Sequence, residues 1–212
     1  MTAQEPPPPP VADPIRPPLG RPPLNRFFTF TAIAVAGLVA DLVTKSWLFG
    51  WPKTRFGGVH WLIDGYVGFQ CSLNEGALFG LGQGAQAWFA AVSVLAGIGI
   101  VVWLFRYGAA WDWWLTGTLG AIMGGVLGNL YDRIGLPGMA WGRGGWPVPE
   151  GRTEGETIYA VRDWILLQLS DDMRWPNFNI ADSLLVVGVA VLFFRSFAAP
   201  NGGSAAKSSG ES

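Results

Sequence analysis

Three aspartates, Asp41, Asp132 and Asp182, stand in or at the ends of otherwise apolar stretches. An ionisable side chain inside a membrane helix costs about 3 kcal/mol, so each is a functional-site candidate by default. Asp41 and Lys45 are four residues apart and share a helix face, where they can neutralise each other. Asn129 precedes Asp132 and Arg133 by three and four residues and neighbours both, and Asn179 repeats the Asn-x-x-Asp spacing with Asp182. Asn74, Glu75 and Gly76 lie just ahead of one apolar stretch, and Asp163 lies in the apolar segment 158–169. Two carboxylates held close in a poorly solvated layer cannot both ionise, so they share a proton. One can then take a proton from water while the other donates to a carbonyl oxygen. The bland reading, in which Asp41 with Lys45 and Asp132 with Arg133 are pairs that orient helices, weakens when four acids converge.

Other reactive side chains offer less. His60 sits between Val59 and Trp61 with only Asp64 nearby, and Cys71 has no adjacent base. Ser46 and Lys45 are helix neighbours that do not face each other, so they form no dyad. One cysteine and one histidine exclude an internal disulfide and a Cys/His zinc site, and no metal or cofactor is expected.

Positioning these groups takes four apolar stretches, each near the roughly 20 residues that cross a bilayer. They run over about 27–51, 85–105, 113–134 and 178–197, and tryptophans cluster near their ends. In the 212-residue chain half the residues are apolar and only 14% are charged, which fits a polytopic membrane protein. With 14 basic and 15 acidic residues there is no positive excess to hold nucleic acid, and none is expected as a partner. The expected class is all-α, with four transmembrane helices and a small sheet from the first long loop, about 52–84. Residues 1–26 read as a disordered Pro-rich tail, 27–197 as the membrane domain and 198–212 as a flexible tail. Small residues before Asp41 resemble a signal-peptide cleavage site, but the apolar pattern continues past it, as in an uncleaved anchor. Arginines and lysines flank both ends of the bundle and do not set its orientation.

At about 1.5 Å rise per residue, Asp41 lies about 21 Å into the first helix, Asp132 about 28 Å into the third and Asp182 about 6 Å into the fourth. With helices one and three parallel and four antiparallel, all three fall in one layer within about 10 Å of the long-loop face. On this spacing Asp132 and Asp163 are equal candidates to partner Asp182. A small transporter or a proton or ion channel is the main alternative, but it predicts polar residues at several depths. A presenilin-like protease is suggested only by Tyr131-Asp132, and a non-catalytic scaffold does not need two Asn-x-x-Asp motifs.

The ordered motifs Asp41-x-x-x-Lys45, Asn74-x-Gly76-x-x-Phe79-Gly80, Gly124-Gly125-x-x-Gly128-Asn129-x-x-Asp132-Arg133, Val161-x-Asp163-Trp164 and Phe178-Asn179-x-Ala181-Asp182-Ser183 together resemble the lipoprotein signal peptidases, type II signal peptidases of bacterial inner membranes. The resemblance implies an aspartic endopeptidase that cuts diacylglyceryl-modified prolipoproteins just before the lipidated cysteine. It places both termini in the cytoplasm and the active site near the extracytoplasmic face. It puts the catalytic pair on Asp163 and Asp182, and supporting or substrate-binding roles on Asp41, Lys45, Asn74, Gly76, Asn129, Asp132, Arg133 and Asn179. Arg133 is expected to occupy Asp132. The implied partners are the prolipoprotein and membrane lipid, and the enzyme is expected to act as a monomer. Two departures stand out: Trp164 replaces the usual Phe, and a Gly/Pro/Trp-rich segment, about 136–157, lengthens the link from Asp132 to Asp163.

Overall fold

A computed structural model describes residues 22–54, 58–76, 84–170 and 173–198. The Pro-rich segment up to residue 21, the tail from 199, and Phe79 and Gly80 lie outside the described residues. Four long helices form where the apolar stretches predict them: α1 (Leu24–Gly50), α2 (Gln86–Val101), α3 (Trp113–Arg133) and α4 (Ile180–Ala198). A π-helical turn, Val102–Arg106, extends α2, and Asp112 caps α3 by accepting from the backbone N–H of Trp114 and Leu115 at 2.8 and 3.2 Å.

The burial pattern inverts that of a water-soluble fold. Val43, Leu95 and Phe194 are 60, 67 and 70% exposed, while Asp41, Lys45 and Asp132 are 0% exposed. Such a surface suits lipid, and α1, α2 with its extension, and α4 are each long and apolar enough to cross a membrane. α3 is not among those three. It carries Gly117, Gly120, Gly124, Gly125 and Gly128, and it packs against each of the other three helices, so less of its surface needs to match lipid.

The expectation of an all-α chain with a sheet from one loop requires correction. The sheet has four antiparallel strands in the order β1 (His60–Ile63), β2 (Val67–Asn74), β3 (Val161–Ser170) and β4 (Met173–Phe178). Half of it comes from the segment before α4. β3 reads VRDWILLQLS, with a short apolar run at its centre and no strict alternation, which periodicity cannot tell from a buried helix. β4 contains Pro176 and occupies an edge, where a missing N–H breaks no ladder.

The glycines of α3 set helix spacing. A Cβ at Gly124 would stand 2.9 Å from the Ala34 carbonyl oxygen on α1, and one at Gly125 would stand 2.6 Å from that of Ala181 on α4. At Gly128 it would fall on Oδ2 of Asp41. Gly128→Ala is therefore expected to destabilise the protein by about 1–3 kcal/mol, read as a lower Tm in detergent. Gly99→Ala, where a Cβ meets nothing within 4 Å, serves as the neutral comparison.

Candidate active site

The fourth helix begins with a reciprocal cap. Asn179 Oδ1 accepts from the Asp182 N–H at 2.9 Å, and Asp182 Oδ2 accepts from the Asn179 N–H at 3.2 Å. The Asn-x-x-Asp spacing thus fixes the Asp182 carboxylate at the positive end of α4. A second helix-end donor, the Ala181 N–H, is taken by Asp41 Oδ1 at 3.0 Å, which ties α1 to the same turn.

Lys45 is the hub beneath this turn. Its Nζ lies 2.7 Å from Asp41 Oδ2 and 3.0 Å from Asp132 Oδ2, and donates to Asn129 Oδ1 at 3.0 Å. Asp132 also accepts from the backbone N–H of Arg162 at 3.1 Å and from the Arg162 guanidinium at 2.9 Å through both Nε and a terminal nitrogen. Two buried acids and two buried bases therefore cancel. This corrects the expectation for Arg133. Successive helix residues point about 100° apart, and Asp132 turns inward to Lys45 and Arg162 while the Arg133 guanidinium lies 5.3 Å from the Phe89 ring. Arg133 still feels the charges of Asp182, Asp163 and, more weakly, Asp132.

Asn129 and Asn179 carry the network onward. Asn129 Nδ2 donates to Asp182 Oδ1 at 2.7 Å, and Asn179 Nδ2 donates to Asp163 Oδ1 at 2.7 Å and to Asn129 Oδ1 at 3.2 Å. Asn74, at the end of β2, donates to Asp163 Oδ2 at 3.1 Å and accepts from the Gly76 N–H at 3.0 Å. The structure thus joins Asp41, Lys45, Asn74, Gly76, Asn129, Asp132, Asp163, Asn179 and Asp182 in one hydrogen-bonded cluster. His60, against Trp51 with ring centroids 4.7 Å apart, and Cys71, near Leu48, lie outside it. Sequence reasoning missed Arg162, and an arginine one residue before a buried aspartate was the available signal.

The four acids divide into two kinds. Among the described residues, Asp41 and Asp132 are ion-paired, whereas Asp163 and Asp182 are held only by uncharged amides. Asp163 is 2% exposed, and Asp182 is half-buried. Burial, and then the nearby charge of Asp182, push the Asp163 carboxyl up to about 8, against the opposing hydrogen bonds from Asn74 and Asn179 and the charge of Lys45.

The family described as Signal peptidase (SPase) II matches residues 33–198. A protein named lipoprotein signal peptidase from Rhodopirellula baltica is 47% identical over 178 residues, covering 82% of this chain and 74% of its own length. One of the same name from Pseudomonas fluorescens is 35% identical over 140 residues, covering 64% of this chain and 69% of its own. The fold is similar to that of a solved bacterial membrane enzyme, with a TM-score of 0.65 at 23% identity over 85% of this chain and 95% of that one.

Proposed function

Since the chain belongs to the signal peptidase II family, we propose that its peptidase activity is aspartic, with Asp163 and Asp182 as the catalytic pair. The enzyme is a multi-pass membrane peptidase that removes signal peptides from prolipoproteins. The single observation behind the pair is that these two carboxylates are bound by neutral amides while their neighbours are neutralised by Lys45 and Arg162. A carboxylate locked to a cation is a poor proton shuttle, and one held by amides keeps its orientation without losing its basicity to a permanent partner.

Asp163 keeps its proton at neutral pH, which leaves the role of base in the pair to Asp182. Asp182 takes a proton from a water between them as the water oxygen bonds to the scissile carbonyl carbon, and Asp163 gives its proton to the carbonyl oxygen. When the tetrahedral intermediate collapses, the carbon–nitrogen bond breaks, the leaving nitrogen takes the proton held by Asp182, and the hydroxyl proton returns to Asp163. Asn129 and Asn179 hold both acids for each transfer, and the half-buried Arg133 supports the substrate backbone.

Substrate class and location extend the same reading. An apolar groove between α2 and α3, with a cavity of about 380 Å³, is lined by Gly97, Ile98, Met123, Leu127 and Leu130. Its apolar lining supports lodging an acyl chain there while a diacylglyceryl-cysteine reaches the acids. In this reading α3 is the fourth span, the membrane is the inner one, and the sheet and the acids lie near its extracytoplasmic face.

Two results are expected. A purified enzyme should cut a diacylglyceryl-modified prolipoprotein just before the modified cysteine and leave the unmodified precursor intact; equal cutting of both would remove the lipid requirement. Because Asp163 is raised, activity that needs its proton is fully present below that value and lost as pH rises through about 8. A kcat undiminished up to about pH 10 would contradict this assignment of the acid.

A further inference from the structure

Asn74 is the last residue of β2; Leu73 precedes it on the strand and Glu75 follows it in a bend. Both neighbours are held by the segment between α3 and β3. Leu73 packs on the buried cluster of Trp141, Ile158 and Ala160. Glu75 Oε1 lies 3.0 Å from a terminal nitrogen of Arg152, and the other terminal nitrogen is 2.6 Å from Glu156 Oε1. The segment is itself pinned. Ala140 bridges Thr157, the Trp141 N–H donates to the Glu156 carbonyl at 3.0 Å, and the Thr153 N–H donates to Glu156 Oε2 at 3.2 Å. Arg152 therefore projects from an ordered turn, and its contact continues through Glu75 and Asn74 to Asp163 Oδ2.

We infer that Arg152 is a positioning residue for signal-peptide cleavage: by anchoring Glu75 it holds the Asn74 amide on the Asp163 carboxyl. This rests on Asp163 belonging to the catalytic pair. It gives the segment 136–157 a task, bracing the end of β2. The Arg152 and Glu75 side chains are 30 and 20% exposed, so the effect is limited to what a partly solvated ion pair carries, about fivefold in rate.

Arg152→Gln is expected to lower kcat about threefold to fivefold with KM changed less than about twofold. Donation by Asn74 favours the charged form of Asp163, so weakening it moves the alkaline limb of the pH profile to higher pH. Arg152→Lys should restore most of the rate, and adding Glu75→Gln to Arg152→Gln should cost nothing further. An unchanged kcat and limb in Arg152→Gln overturns the inference, as does a kcat loss that follows a fall in Tm while the limb stays in place. Asp163→Asn measured alongside separates the premises. If that variant is inactive while Arg152→Gln is unaltered, only the brace fails; if it is active, the pair fails and the brace with it.

Discussion

Asp182→Asn is expected to remain folded and to lose cleavage by about 10²–10⁴-fold, the contribution of a positioned proton-transfer group. The replacement keeps the shape and keeps an oxygen for the Asn179 N–H, so the cap on α4 survives. Its new NH₂ meets the amide that Asn129 aims at Asp182, at a cost of about 1 kcal/mol from one lost hydrogen bond. What disappears is the only group in the pair that can accept the water proton. A circular dichroism spectrum and Tm near wild type, together with residual turnover, separate lost chemistry from lost structure. An Asp182→Asn enzyme cutting at the wild-type rate would end the aspartic reading.

The largest stability effect is expected at Lys45. Lys45→Met fits a similar volume but leaves Asp41 without its cation and Asp132 with Arg162 alone, all within a region 0 to 5% exposed. Breaking a buried pair on one side costs about 3–5 kcal/mol, because a charge stays buried without compensation. Asn129 also loses one of the two donors to its carbonyl oxygen and keeps only Asn179, so the amide directed at Asp182 is held less firmly and activity falls with stability. Removing the stranded charge as well, in Lys45→Met with Asp41→Asn, should recover part of the Tm. A single variant as stable as wild type would show that the network does not hold the bundle together.

Helical rise and the two Asn-x-x-Asp spacings were enough to bring Asp41, Asp132 and Asp182 to one level, because position along a helix is fixed by residue count. Partner choice was not legible in the same way. Asp132 beside Arg133 reads as a pair in sequence, yet only a side chain on the inward face can reach the interior, and the actual partners, Lys45 and Arg162, are distant in the chain. The strands between α3 and α4 were hidden because β3 is buried along most of its first half, which erases alternation. That strand also separates the two possible partners of Asp182. The β3 backbone presents Arg162 to Asp132 and, one residue later, Asp163 to Asn179 and Asn74, a division set by strand alternation once the strand itself is known. The role of 136–157 depends on a contact between Arg152 and Glu75, 77 residues apart, which no local pattern announces.

The central claim is that Asp163, and not Asp132, shares the catalytic proton with Asp182. Its most direct test is cleavage of a diacylglyceryl-modified prolipoprotein by equal amounts of folded Asp163→Asn and Asp132→Asn enzyme, with the product identified by mass. The account predicts no product from Asp163→Asn at a near-wild-type Tm, and a lowered Tm for Asp132→Asn, which loses the acceptor for Lys45 and Arg162. Product released at the wild-type rate by Asp163→Asn, with none from folded Asp132→Asn, would contradict it and move the second acid to Asp132.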